Sequence, residues 1–409
     1  MQPGRFKNAL VALVLLAVVA ALSFSLGRNS ALASIVDVPG GAGSSTPPPA
    51  AALATQSIPI PETPLKGSII AAGDYLVRQQ LANGELSYQV DIQSGARDYS
   101  PSSIRLIAGS GALFTVCRVS GDPKYCQAGD LALDHYLEQL VVDPKHFAGT
   151  CFYTSGTCQL GGSALAVDAI YKRWLATGDF ALDRRDLSFT AKNLGYFIVS
   201  MRKAEGGFYQ SFDPYYGGTV DPDFYVAYFP GEALLALTEL FEMTGNEFWL
   251  TQARQVNDYM ITQPVTEDHW HSYALSMLAR LDKLTSADKT YAKQIADTVI
   301  AGQVRSLNPT NTSIGTATKI EALAALAKAF ILSGEDHAWL DPDIRTFITF
   351  VRARQLPDNN CNWELSDQMK DQFSGGIFSS CEEATIRVDG LQHYINGITV
   401  YLEYQSLSK

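Results

Sequence analysis

The sequence is short of the residues that bind nucleic acid. Its 31 lysines and arginines are outnumbered by 42 aspartates and glutamates, which gives a formal net charge of −11 at pH 7. Nucleic-acid binding depends on clustered basic residues, so this balance argues against a nucleic-acid partner. An anionic sugar stays compatible with the charge, because a local basic pocket can lie within an acidic protein.

Cysteine and histidine are also scarce, with six of each in 409 residues. No C-x-x-C spacing or neighbouring histidine cluster is present, which argues against a zinc site. The cysteines instead fall in pairs that are close in sequence, and local pairing is the most economical connectivity. Because disulfides persist in oxidising compartments, we predict an exported protein with three local bridges: Cys117–Cys126, Cys151–Cys158 and Cys361–Cys381.

Several catalytic motifs are missing as well. The chain has no glycine-rich phosphate loop, no serine elbow and no nucleophilic cysteine motif. Three loop aspartates, Asp213, Asp221 and Asp223, could hold calcium but lack EF-hand spacing. His269 and His271 are two residues apart, which is a poor spacing for shared ligation on a helix. We therefore predict no cofactor and no metal ion.

A largely apolar run of 18 residues, 9–26, follows Arg5 and Lys7 near the N-terminus. Its length lies between that of a long signal-peptide core and that of a short transmembrane helix. We favour an uncleaved signal anchor in the inner membrane, with the body of the protein in the periplasm or on the cell surface. The alternative is cleavage near Ala33 and secretion.

Changes in composition divide the chain into three segments. Residues 1–28 are the signal anchor or signal peptide. Residues 29–65 are rich in proline, alanine and serine and form a linker without a core of its own. Residues 66–409 form one domain, which we expect to be monomeric.

The domain repeats a pattern of helical hairpins. Six inner-helix segments can be aligned on an alanine or isoleucine, at Ala112, Ala164, Ala233, Ala274, Ala322 and Ile395. Each interval accommodates two helices, and units too small to bury their own apolar faces can close into a ring. An open solenoid would need a polar capping repeat, but the last helical segment, GLQHYINGITVYLEY, is apolar. We predict an all-α fold, an (α/α)6 toroid of six helical hairpins with short β-hairpins in the loops.

Glycine and proline residues mark the expected helix ends. Short strands are predicted in NGELSYQVD, CFYTSGTC, FYQSFD and SGGIFSS. The predicted outer helices cover 66–82, 124–141, 183–203, 246–263, 286–304 and 337–355. The predicted inner helices cover 101–118, 161–177, 229–244, 268–284, 316–334 and 384–405.

Six motifs carry a resemblance to a known group of proteins. NGELSYQVD, SIRLIAGSGAL, PGEALLAL, EDHW, TKIEAL and IRVDGLQH together resemble the six-hairpin α/α-toroid proteins, over residues 66–405. That group includes glycoside hydrolases, sugar 2-epimerases, glucuronyl C5-epimerases and polysaccharide lyases, and PGEALLAL is similar to a helix of the C5-epimerases. The group also includes terpene-cyclase-like and lanthionine-synthetase-like proteins, but their DxDD motif and zinc ligands are absent. The resemblance implies an enzyme that acts on carbohydrate.

The loop from Gly206 to Leu237 is the first candidate for a sugar site. Nine aromatic residues lie between Phe208 and Phe229, interspersed with aspartates. Aromatic rings stack on flat ligands and acidic groups hydrogen-bond hydroxyls; the alternative is a well-packed loop. The predicted substrate contacts are Asp213, Tyr215, Tyr225 and Tyr228.

The residue before each aligned position is expected to line one shared funnel, and two of the six are acidic, Glu232 and Glu321. Two carboxylates facing one cavity can perform general acid and base catalysis on a glycosidic bond. The alternative is that each glutamate complements its helix dipole.

The remaining predicted site residues come from the loops and first turns of other inner helices. Asp389 and His393 are four residues apart, so on a helix they can hydrogen-bond as an acid–base pair or as a structural pair. Two arginines could clamp an anionic sugar, although a surface ion pair is the usual role. The predicted substrate contacts here are Arg105, His269, Trp270 and Arg387.

Two functions remain open at this point. The first is an exported carbohydrate-active enzyme, a hydrolase, lyase or epimerase acting on a polysaccharide or glycan in the funnel. The second is a non-catalytic glycan-binding or scaffold protein of an envelope polysaccharide assembly system. An enzyme requires titratable groups that converge in one cavity, whereas a binding protein requires only aromatic surfaces.

Overall fold

The computed structural model describes residues 63–99, 103–215, 218–302, 308 and 310–409, all of them within one compact unit, Pro47–Lys409. The predicted membrane segment and nearly all of the linker lie outside the described residues. In the part that is described, none of the helices combines the length and the apolar character needed to cross a bilayer.

Six helices form an inner ring. Each contacts the next in chain order, and the last contacts the first, so the ring is closed and the predicted toroid is confirmed. These helices meet neighbours on nearly all sides, which is why they are apolar almost all round. They are α2 (Ser103–Ser120), α4 (Leu160–Thr177), α6 (Phe229–Thr244), α8 (His269–Arg280), α10 (Ser313–Leu332) and α13 (Val388–Leu407).

Six further helices form an outer layer. Each packs against one or two inner helices with its apolar face; the last of them, for example, buries Ile344, Phe347 and Val351. They are α1 (Pro64–Gln79), α3 (Pro123–Leu137), α5 (Leu187–Ser200), α7 (Glu247–Met260), α9 (Ser286–Ala301) and α11 (Asp341–Arg352), and a short α12 (Asp367–Gln372) lies in the loop after them.

Short antiparallel strands occupy the connecting loops. One sheet has the order β10-β1-β2, a second has the order β3-β4-β5-β8-β9, and β6 pairs with β7. The strands are β1 (Gln89–Asp91), β2 (Arg97–Asp98), β3 (Leu140–Val141), β4 (Cys151–Thr154), β5 (Thr157–Gln159), β6 (Ala181–Leu182), β7 (Arg185–Asp186), β8 (Ser211–Asp213), β9 (Thr219–Val220) and β10 (Thr385–Arg387).

Two predicted starts of inner helices and one predicted strand are wrong in informative ways. The last inner helix begins at Val388 and not at residue 384, because β10 pairs with β1 and opposes Arg387 to Gln89. Helix α10 begins at Ser313, three residues before the predicted start at 316, because the Thr312 side chain caps it. The predicted strand SGGIFSS makes only isolated bridges, one of them from Phe378 to Ile386.

The six cysteines form the three local disulfides that the sequence predicts. Cys117 is bonded to Cys126, Cys151 to Cys158, and Cys361 to Cys381. The second bridge joins β4 to β5, and the hairpin that these strands form lies at the mouth of the inner ring.

Candidate active site

A cavity of about 790 Å³ opens where the inner helices begin. We call it the front cavity. Its wall comes from the first turns of the inner helices and from the loops before them, as the toroid predicts. Eight of the predicted site residues line it: Arg105, Tyr228, Glu232, His269, Trp270, Arg387, Asp389 and His393.

Three predicted contacts of the aromatic loop lie outside this wall. Tyr225 is 72% exposed and Tyr215 is 64% exposed, the latter edge-on against Tyr153 with ring centroids 5.3 Å apart. Asp213 accepts a hydrogen bond from the Tyr215 amide at 2.9 Å, so its carboxylate stabilises the turn. The structure therefore does not support the predicted substrate contacts of Asp213, Tyr215 and Tyr225. The loop contributes Phe224, Val226, Ala227 and Tyr228 to the cavity instead.

Glu232 presents a buried carboxyl group to the front cavity. The residue is 3% exposed, and its Oε2 has no hydrogen-bond partner among the described residues. Burial, reinforced by the nearby carboxyl of Asp268, raises the pKa of Glu232 well above its usual value. This shift favours the protonated form of the carboxyl group, which can donate a proton.

Asp268 is the second buried acid, and sequence reasoning missed it as a site residue. Its Oδ1 accepts hydrogen bonds from the amides of Trp270 at 2.9 Å and His271 at 3.2 Å, which caps α8. Its Oδ2 has no partner in the described part of the chain, and burial raises the pKa of Asp268 to about 7. The DHW motif indicates the cap, but the burial that shifts the pKa depends on the assembled ring.

Two glycines make room for this pair of acids. A Cβ atom on Gly231 would collide with Asp268 Oδ2, and a Cβ atom on Gly161 would collide with Glu232 Oε2. The glycines in the PGEALLAL and GGSALA motifs thus have two roles. They lie at the starts of helices, and their lack of a side chain lets buried carboxyl groups approach the backbone closely.

His393 is held by Glu321 and Tyr273. The Nδ1 of His393 lies 2.6 Å from Glu321 Oε2, and the Tyr273 hydroxyl donates to Glu321 Oε1 at 3.1 Å. When Glu321 is ionised, both of its oxygens accept, so Nδ1 of His393 donates to it and Nε2 is the nitrogen turned away from Glu321. A buried carboxylate that orients a histidine in this way prepares it to act as a base.

The position of Glu321 corrects the predicted register. Glu232 is the fourth residue of α6, whereas Glu321 is the ninth residue of α10 because α10 starts early. Glu321 is fully buried and does not belong to the cavity wall, on which His393 lies. The prediction that Glu232 and Glu321 face each other across the cavity is therefore wrong.

The predicted hydrogen bond between Asp389 and His393 is also wrong. Asp389 Oδ2 lies 2.5 Å from Arg387 and 3.2 Å from Arg105 Nε, and both guanidinium groups lie over the ring of Tyr88. The pairing of β10 with β1 brings Arg387 beside Tyr88, so this cluster joins the last repeat to the first.

One group of described residues could hold a metal ion. It consists of His269, Glu321 and His393, whose donor atoms lie within 4.8 Å of one another. The 2.6 Å between His393 Nδ1 and Glu321 Oε2 is a hydrogen-bond distance, shorter than the roughly 3.4 Å between two ligands of tetrahedral zinc. Burial lowers the pKa of His269 well below its usual value, and its Nε2 has no hydrogen-bond partner among the described residues. As it stands, the arrangement fits proton transfer better than ligation.

Asp268→Asn is expected to flatten the pH dependence of stability between about pH 4 and pH 7. The folded-state pKa of about 7 exceeds the ordinary value of 3.8, so the folded state holds an extra proton in this range. The contribution of this proton to the free energy of unfolding is complete below the unfolded-state pKa of Asp268. It is lost as the pH rises through the folded-state pKa. Asparagine keeps the helix cap. Urea unfolding of both proteins at several pH values measures the difference.

A matched control is Asp186→Asn, because Asp186 caps α5 from an exposed position. The difference in slope between the Asp186→Asn and Asp268→Asn variants then isolates the effect of burying the Asp268 carboxyl. An Asp268→Asn variant with the slope of the parent would show that Asp268 titrates normally.

Comparisons with known proteins agree with the fold. No protein-family model and no curated protein sequence matches the chain. An unsaturated glucuronyl hydrolase from Bacillus sp. GL1, responsible for the degradation of glycosaminoglycan, superposes with a TM-score of 0.58 at 13% identity, over 82% of this chain and 96% of that one. A cellobiose 2-epimerase from Spirochaeta thermophila DSM 6192 gives 0.56 at 15%, over 84% and 96%.

A third solved structure is the cellulase Cel9M of C. cellulolyticium in complex with cellobiose, with a TM-score of 0.53 at 9% identity, over 84% of this chain and 99% of that one. At such identities the likeness establishes architecture and leaves the activity to the site. The chain therefore has the (α/α)6 toroid fold of glycoside hydrolases and sugar epimerases.

Proposed function

We propose that the protein is a carbohydrate-active enzyme that moves protons to and from a sugar bound in the front cavity, as an epimerase or a lyase. The observation that carries the proposal is that Glu232, a buried acid with a raised pKa, and His393, a histidine held through Nδ1 by Glu321, line the same cavity. A raised pKa suits Glu232 to the role of acid, and the contact with Glu321 suits His393 to the role of base.

The chemistry follows from these two groups. His393 Nε2 takes a proton from a sugar carbon that lies next to a carbonyl or carboxyl group, and the bonding electrons stay on the sugar as an enolate. Glu232 then supplies its proton, either to the opposite face of the same carbon, which inverts that centre, or to a departing glycosidic oxygen, which completes an elimination. Glu321 stabilises the imidazolium that forms on His393.

The arginines favour an acidic sugar as the substrate. Arg105 and Arg387 bring two guanidinium groups to the cavity wall, where they share the one carboxylate of Asp389 and keep a net positive charge. Guanidinium groups bind carboxylates in a defined geometry. A carboxylate on the sugar ring also acidifies the adjacent C–H bond, which the proposed proton abstraction requires. The glycosaminoglycan-degrading hydrolase of similar fold agrees with a substrate of this kind.

Hydrolysis is the second candidate. A buried carboxyl group with a raised pKa, such as Glu232, suits protonation of a glycosidic oxygen, and His393 could activate a water molecule. Hydrolysis by two opposed glutamates is disfavoured, because Glu321 does not line the front cavity.

A panel of neutral and acidic oligosaccharides, incubated with the full-length protein and followed by mass spectrometry, tests the proposal. An epimerase gives an isomer of unchanged mass, and a lyase gives fragments whose summed mass equals that of the substrate. A hydrolase adds one water molecule for each bond cleaved. Oligosaccharides that bind without any product would favour the glycan-binding or scaffold alternative and overturn the enzymatic one.

We also propose that the domain works outside the cytoplasm, attached to the inner membrane through residues 9–26. The three disulfides support this location, since such bridges are rare in reducing compartments. Cell fractionation and sequencing of the mature N-terminus test it. A soluble protein that begins near Ser34 would replace the anchored form by the secreted one.

A further inference from the structure

A second, smaller cavity of about 160 Å³ lies further along the inner helices, and we call it the back cavity. All six inner helices contribute to its wall. The residues that they provide lie one to three helical turns beyond those of the front cavity, and Trp270 lines both. The back cavity therefore adjoins the front cavity, but Glu232, Asp268 and His393 do not line it.

The back cavity contains polar groups that the protein leaves unsatisfied. Asn396 Nδ2 and Thr399 Oγ1 are buried and have no hydrogen-bond partner among the described residues, and the same is true of Glu239 Oε2. An amide Nδ2 can only donate, and a hydroxyl can donate. Because a buried donor without an acceptor is costly, the cavity is suited to an occupant that accepts hydrogen bonds.

Two cations lie beside these donors. Arg118 and Lys328 share the carboxylate of Glu403, at 2.7 Å and 2.5 Å. Burial alone would raise the pKa of Glu403, but the two cations lower it to about 2. Asn396, Thr399 and Glu403 follow one another at helical spacing and lie on one face of α13. This side of the cavity thus combines two positive charges, one negative charge and the unsatisfied donors.

On the opposite side of the back cavity, two carboxylates are paired with cations and a third acid, Glu239, has a raised pKa. Asp168 is paired with Lys172 at 2.7 Å, and Glu242 is paired with Arg280. Glu239 forms no ion pair among the described residues, and burial together with the neighbouring Asp168 raises its pKa well above the usual value. When Glu239 holds its proton, four cationic side chains (Arg118, Lys172, Arg280 and Lys328) face three carboxylates in the back cavity.

We propose that the back cavity binds one small oxyanion, a carboxylate or sulfate, on the donors of Asn396 and Thr399 beside Arg118 and Lys328. A volume of about 160 Å³ admits a molecule of a few heavy atoms, since one water molecule takes about 30 Å³.

Isothermal titration of the full-length protein with sodium sulfate and sodium acetate, against sodium chloride at equal ionic strength, tests the proposal. We expect saturable binding at one site for at least one of the two oxyanions. Asn396→Leu and Thr399→Val each remove one donor at nearly constant shape and should weaken binding about tenfold. Circular dichroism confirms that the variants fold.

Glu239→Gln is the discriminating variant. Glutamine keeps a donor and cannot ionise, so this variant should retain oxyanion binding and hold it as the pH rises. In the parent protein, affinity should fall once Glu239 loses its proton. The charged and titratable groups that face Glu239 across the cavity are Arg118, Asp168, Tyr171, Lys172, Glu242, Tyr273, Arg280, Lys328 and Glu403.

Three outcomes would overturn the proposal. They are the absence of saturable binding of both oxyanions, binding that the Asn396 and Thr399 variants leave unchanged, and binding of sodium or another cation that Glu239→Gln abolishes. The titration contains no glycan, so its result is independent of whether the front cavity proves to be catalytic.

Discussion

Replacing Glu232 by glutamine is expected to lower the turnover number on the glycan about 10²–10⁴-fold, which is the usual contribution of a general acid. Glutamine preserves the shape of the side chain but cannot supply a proton. Because burial raises the pKa of Glu232 and disfavours its charged form, replacement by a neutral glutamine should change stability little. Steady-state kinetics on a substrate from the oligosaccharide panel, with a thermal unfolding curve for each protein, measure both effects.

The matched control for this variant is Glu247→Gln. Glu247, like Glu232, is a glutamate in the first turn of its helix, but it belongs to the outer helix α7 and lies away from the front cavity. If Glu232 only complements its helix dipole, the two substitutions should have similarly small effects, each within about 1 kcal/mol on stability. Unchanged turnover in a folded Glu232→Gln protein would remove Glu232 from the site.

Replacing His393 by glutamine is expected to have an effect of similar size, about 10²–10⁴-fold on turnover, because the proposed base is lost. Glu321→Gln should also lower turnover, since its amide group can donate to Nδ1 of His393. The proton of the imidazole then moves to Nε2, the atom that must accept. The pH profile of the Glu321→Gln variant should lose the limb that reports this base.

His146 provides the control for the second prediction. It also pairs with a carboxylate, Asp143, at 2.7 Å, but it does not line the front cavity. His146→Gln should leave turnover unchanged. Equal losses from His146→Gln and His393→Gln would mean that the effect is structural, and normal turnover in His393→Gln would rule out the proposed base.

The ring itself was predictable because its causes are local. Glycine and proline positions mark the helix ends, and an apolar face recurs in every hairpin, so the closed toroid follows from packing. The disulfides were predictable for the same reason, since each bridges a short stretch of chain. Glu232 follows from the motif PGEALLAL, which places it in the first turn of an inner helix.

The partners within the site were not predictable, because they come from distant parts of the chain. His393 meets Glu321 from α10, while the neighbour at i−4, Asp389, meets Arg105 from α2. Helix α10 starts early because the Thr312 side chain caps it. Glu321 is therefore the ninth residue of α10 and does not line the front cavity. The sequence indicates that Asp268 caps a helix, but its raised pKa arises from burial that only the closed ring provides.

The most direct test of the central claim is to run the reaction in D₂O and examine the product by NMR and mass spectrometry. Proton transfer at a sugar carbon predicts a product in which one C–H bond of the substrate is lost. An epimerase replaces it by C–D, and a lyase replaces it by a carbon–carbon double bond. A product that keeps every C–H bond and gains only the elements of water would contradict the account and make the protein a hydrolase.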